Sequence, residues 1–142
     1  MKKMSKKVEK MRKCRLSITT VADGKETNFS QNGEIDVLDS SINIRYKDEN
    51  ALVSIIIQEK EAHIIRQGEY SLRLLLREGE ETLGSLGIQN SEGELKTYTK
   101  RLSYSQRKDS LLLSMSYLLL FAGEPQEMKL NIFAKIQKDK GE

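Results

Sequence analysis

The chain is poor in the residues that build covalent staples and catalytic constellations: among 142 residues there is one cysteine, Cys14, one histidine, His63, one proline and no tryptophan. A lone cysteine excludes an internal disulfide framework, and together with a lone histidine it leaves nothing from which a Cys/His zinc site is assembled. No metal and no cofactor is therefore expected. No run approaches the roughly 18 apolar residues of a membrane-crossing helix, and the Lys-rich start lacks the apolar stretch of about 7–15 residues in a signal peptide. These absences predict a cytoplasmic protein without a membrane span. What is present is an ordinary globular balance, 37% hydrophobic and 32% charged. That excludes a wholly disordered chain and suits one domain with a real core.

Acidic charge is scarce in the first 15 residues. That segment holds eight basic residues (Lys2, Lys3, Lys6, Lys7, Lys10, Arg12, Lys13, Arg15) against Glu9 alone, a net +7. The remainder has 16 basic and 20 acidic residues, a net −4, so the overall +3 belongs to the leader. Recognition of nucleic acid requires positive charge on a folded face, and the balance of the body argues against a specific nucleic-acid binder. The leader alone is left to meet a polyanion. Met1, Met4, Val8 and Met11 fall on one stripe of a basic helix. About twelve residues is marginal for an isolated helix, so residues 1–12 are read as a short helix or a solvated arm.

From residue 13 onward the dominant period is two. Ile42-Asn43-Ile44-Arg45-Tyr46-Lys47 alternates apolar and polar, as do Leu72, Leu74 and Leu76 with their neighbours, Leu95 to Lys100, and Met128 to Ile136. Further strands are expected at 13–21, 27–37, 51–59, 62–67, 83–89 and 110–121, divided by turn signals such as Ala22-Asp23-Gly24-Lys25 and Glu78-Gly79-Glu80. The Leu111–Phe121 run is long enough for a buried helix, but its alternating Ser114 and Ser116 favour a strand. Short links force antiparallel pairing of neighbours, since parallel strands need a long crossover. The expectation is all-β: a single closed, up-and-down antiparallel barrel of about 8–10 strands over residues 13–138, with a short tail at 139–142. Closure removes the exposed edges that ten strands otherwise leave.

Several segments, in this order and spacing, carry a family likeness: Ile64-Ile65-Arg66-Gln67-Gly68; Leu72 to Leu76 followed by Glu78-Gly79-Glu80-Glu81-Thr82; Gly93-Glu94-Leu95-Lys96-Thr97-Tyr98-Thr99 with Leu102; and Ser116-Tyr117-Leu118. Over Arg15 to Lys138 the chain resembles the uncharacterised bacterial family known as domain of unknown function 1934. The resemblance implies a calycin-like, lipocalin-like barrel with no established activity, and it carries no catalytic residue over. The long basic leader departs from the family pattern.

Chemistry is thinly supplied. His63 alternates with Ile64 and Arg66 and is read as a structural or surface histidine, because no second catalytic group accompanies it. Cys14 lies between Lys13 and Arg15, whose charges favour a lowered pKa, although an inert strand-end thiol is the simpler reading. Gly79, Gly84 and Gly87 are read as turn and bulge residues rather than a phosphate loop. Turn carboxylates such as Asp48-Glu49 and Glu80-Glu81 are read as solvated charges. The expectation is that the protein is not an enzyme.

The informative residue is Arg66, which shares a strand face with Ile64, as Thr99 does with Leu95. If those apolar residues point inward, Arg66 and Thr99 do too, and Tyr46, Gln58, Thr97 and Tyr117 join them by the same alternation. A buried guanidinium requires partners. Two readings follow. In one, these six residues anchor a small, mostly apolar ligand in the lumen. In the other, they form a self-satisfied plug in a filled barrel that works as a structural or regulatory interaction module. Lumen volume separates the two, and the sequence does not supply it.

Overall fold

The computed structural model describes residues 11–121 and 124–137. The helical stripe expected before Met11 and the tail at 139–142 lie outside the described residues. Ten strands follow one another: β1 (Arg12–Ala22), β2 (Lys25–Val37), β3 (Ile42–Asp48), β4 (Ala51–Gln58), β5 (Glu61–Gln67), β6 (Tyr70–Arg77), β7 (Glu81–Ile88), β8 (Ser91–Gln106), β9 (Ser110–Phe121) and β10 (Glu124–Ile136). Each pairs antiparallel with its sequence neighbours, and β10 pairs with β1 from Ala22↔Met128 to Cys14↔Ile136, which closes the barrel. The expected all-β, up-and-down closed barrel is the observed architecture.

Period-two patterning explains which residues meet. Cys14, Leu16 and Ile18 of β1, Ile42 and Ile44 of β3, Val53, Ile55 and Ile57 of β4, and Leu130, Ile132, Ala134 and Ile136 of β10 all turn inward and are buried. Each fully buried Leu or Ile contributes about 1.5–3 kcal/mol relative to exposure. The links are short. Asp23 and Gly24, both at positive φ (50° and 83°), form the two-residue hairpin between β1 and β2, the backbone that Asp-Gly accommodates best.

The barrel has one irregular seam. Strands β6 and β7 pair only over Tyr70–Arg73 with Ser85–Ile88. Below that, the β6–β7 link leans on β8: Gly79 N–H donates to Thr99 O (2.8 Å) and Thr99 N–H to Glu80 O (3.2 Å). The register of β8 slips between Thr99 and Arg101, and the Glu78 carboxylate accepts the Leu102 N–H at 3.0 Å. A bulge is therefore present, but in β8 rather than at the glycines. Gly84 lies within β7, where a Cβ would sit 2.2 Å from Arg73 O, so its role is close backbone approach. Gly79, at φ 78°, is the turn glycine.

Packing changes along the axis. Call lower the end that carries the β2–β3, β4–β5, β6–β7 and β8–β9 links, and upper the end that carries the β1–β2, β3–β4, β5–β6 and β7–β8 links. Ile44, Ile55, Leu76, Leu113, Ile132 and Ala134 have no exposed surface, so no water-sized space opens against them. Toward the upper end the inward residues Tyr46, Leu72, Leu86, Leu119 and Met128 are only partly buried. The barrel is filled through its middle, and five of its six partly buried inward apolar side chains lie toward the upper end, with Val37 at the lower.

Candidate functional site

Five of the six polar residues expected inside do point inward; Arg66, Tyr46 and Tyr117 gather toward the upper mouth, whereas Thr97 and Thr99 stand deeper, beside Thr82 and the β6–β7 link. Arg66, near the end of β5, points inward with its side chain 19% exposed, and its Nη1 donates to Asp48 Oδ2 at 2.8 Å. The Tyr70 ring lies over the guanidinium, 4.8 Å from centroid to Cζ, within cation–π range. Arg66 Nε is buried and has no hydrogen-bond partner. Tyr46 is two residues before Asp48 on the same face of β3. Its pKa is pushed up to about 12, mainly by burial and further by Asp48 and Tyr117, with Arg66 pulling the other way. Tyr117, in β9, is pushed up to about 12 by burial.

Thr99 is the register partner of Tyr117, and Thr97 lies between Thr82 and Leu119. Both threonines are fully buried, and neither hydroxyl has a partner. Their neighbour Thr82 is satisfied, its hydroxyl donating to Leu75 O.

Gln58 is not among them. It is exposed on the outer face of β4, whose inward residues are Ala51, Val53, Ile55 and Ile57. Leu52 and Ile56 make that strand apolar on both faces, so alternation alone gives no unique inside, and Leu52 proves to be 54% exposed. Asp48 corrects a second reading: as the last residue of β3, in phase with Ile42, Ile44 and Tyr46, it partners Arg66 rather than being a solvated turn charge. That phase was the signal available for it. Tyr70 carried no such signal, because it touches Arg66 across the β5–β6 link.

The remaining candidates lie elsewhere. His63 is on the outer wall, its side chain 41% exposed and 3.3 Å from Glu61. Glu61 is held below the usual carboxylate range, first by the Arg77 guanidinium and then by His63. Cys14 is fully buried inside, while Lys13 and Arg15 face out. Burial, with Glu34 adding to it, pushes the thiol up to about 11 despite a hydrogen bond at Gly33, which fits the inert-thiol reading and not a pKa lowered by Lys13 and Arg15. Among the described residues no group of three or more His, Cys, Asp or Glu side chains is placed to hold a metal ion. No helix among them is long and apolar enough to cross a membrane.

A ten-stranded up-and-down barrel with a polar cluster at one mouth defines the class: a small calycin-like β-barrel. Residues 13–132 match the family described as a domain of unknown function (DUF1934), and the chain belongs to that family. It is also similar to the crystal structure of the ywiB protein from Bacillus subtilis. The TM-score is 0.82 at 19% identity, with 96% of this chain and 100% of that one covered, a likeness of fold. No curated protein matches the chain.

Proposed function

We propose that this protein is a non-catalytic, cytoplasmic binding module that takes one small amphiphile, apolar with an anionic head, at the upper mouth of its barrel. The observation that carries this is the inward guanidinium of Arg66, bound to Asp48 through Nη1 only and unpartnered at Nε, inside a ring of partly buried apolar residues. Carboxylates bind arginine side-on through two parallel N–H donors, and the edge away from Asp48 offers that fork. The apolar body would lie against Leu72, Leu86, Leu119 and Met128. Tyr46 and Tyr117 supply the few convergent polar groups such a pocket uses for orientation. Entry requires Tyr70 to swing off the guanidinium.

The packed middle supports a second reading, in which the barrel is a filled scaffold that works through its surface. Native mass spectrometry of freshly purified protein, with titration of the apolar anion 1-anilinonaphthalene-8-sulfonate, separates the two. The ligand reading expects a retained mass or saturable binding that Arg66→Met weakens by about 10- to 100-fold, the scale of a charge-assisted hydrogen bond. The stability cost of that change should be only about 1 kcal/mol, because the Arg66–Asp48 pair is partly exposed. No retained molecule, and a probe affinity indifferent to Arg66, would sink it.

A further inference from the structure

The net charge of −4 on the body conceals a basic face. Outside the barrel, a groove of about 960 Å³ crosses β1 to β5, and its charged lining is Lys13, Arg15, Arg45 and Lys47 against Glu34 alone. Register explains the grouping: Lys13 pairs with Glu34 and Glu34 with Arg45, all facing outward, while Arg15 lies beside Asn32. None of the four cations is within 4 Å of a carboxylate among the described residues, whereas Arg66, Arg77, Lys96 and Lys100, elsewhere on the barrel, are each paired with one. Arg15 is instead held by Asn32, its Nη1 donating to Oδ1 at 3.0 Å. The basic row continues on both sides, with Lys135 beside Arg15 and Arg73 beside Ile65. Asp36, outward on β2, is the nearest further carboxylate in register, below Arg45's row.

We infer that this groove binds the sugar–phosphate backbone of a single-stranded nucleic acid without reading its sequence. The cations stand on β1 and β3, two strand spacings or about 10 Å apart, with Ser30, Asn32 and the single carboxylate Glu34 of β2 between them, which leaves the groove a net excess of three positive charges. One polynucleotide backbone fits between such walls; a duplex does not. Ser30, Asn32, Ser54 and Gln67 add the hydroxyl and amide groups that share phosphate and sugar contacts with Arg and Lys. Tyr46, the one aromatic residue lining the groove, turns its side chain toward the barrel interior, so base stacking is not supplied and sequence preference is not expected. Concavity disfavours a flat lipid surface. The site is independent of the upper mouth.

The test is fluorescence anisotropy of the full chain with a labelled single-stranded oligo(dT) across a salt series. The variants are Arg45→Gln with Lys47→Gln in the groove, and Gln at Lys2, Lys3, Lys6, Lys7 and Lys10 in the leader. The groove double variant should retain its melting temperature, weaken binding at least tenfold and flatten the log–log salt slope by about 1.4, at roughly 0.7 for each phosphate no longer neutralised. Absence of binding at low salt overturns the proposal. So does binding that the leader variant abolishes and the groove variant leaves intact. Tighter, groove-dependent binding of poly-glutamate than of the oligonucleotide also overturns it, in favour of an acidic protein partner.

Discussion

At the scale of single residues, burial governs the inward titrating groups Cys14, Tyr46 and Tyr117 more than their charged neighbours do, whereas Glu61 on the outer wall answers to Arg77 and His63. Tyr117 holds its proton up to about pH 12 in the fold, against an ordinary value near 10, because the buried phenolate would lose its hydration. The folded chain thus binds this proton more tightly than the unfolded chain. Its stabilising contribution is complete below pH 10 and disappears as pH rises toward 12. Tyr46 acts over the same window, and Cys14, raised from 9.0 to about 11, begins a unit earlier. Urea midpoints should therefore fall steeply on the alkaline side, with Tyr117 alone accounting for roughly 2–3 kcal/mol. Tyr117→Phe should flatten that limb; an unchanged alkaline slope in this variant would show that the phenol is solvated.

Among the elements, the β6–β7–β8 seam is where regular pairing fails and side chains replace the ladder. Glu78 is the key substitute, since its carboxylate accepts the Leu102 N–H just past the β8 bulge. Glu78→Ala leaves that half-buried amide without its acceptor, at an expected cost of about 1–2 kcal/mol. Glu78→Gln keeps an acceptor oxygen and should recover most of it. Chemical denaturation of the two variants checks this, and equal losses would mean that the charge rather than the hydrogen bond matters. Bulges of this kind bend a strand and tighten its twist, which suits β8, the longest strand at 16 residues, to curve around the barrel.

For the whole molecule, closure joins the two ends of the chain, because β1 pairs with β10 over nine residues. No strand can leave without opening the barrel, so unfolding should be a single cooperative transition. Local opening should concentrate at the β6–β7 seam, with its four register pairs. Hydrogen exchange should show β1 and β10 amides exchanging only through global unfolding and Ser85–Ile88 amides much earlier. Uniform protection around the barrel would contradict this.

The amino-acid sequence by itself determined the strand number, the antiparallel order and most of the inward set, because period-two patterning and hairpin-length links are local properties. Arg66, Tyr46, Tyr117, Thr97 and Thr99 were legible as inward for that reason. Gln58 was not, since an apolar outer face at Leu52 and Ile56 removes the contrast that alternation depends on. Only the tertiary structure decided the rest. That Asp48 and Tyr70 meet Arg66, that Cys14 is shielded from Lys13 and Arg15 by the sheet between them, and that a net-acidic body carries a basic groove are all matters of position. Strands far apart in sequence are brought within a few ångströms by closure, and composition sums charges without recording where they stand.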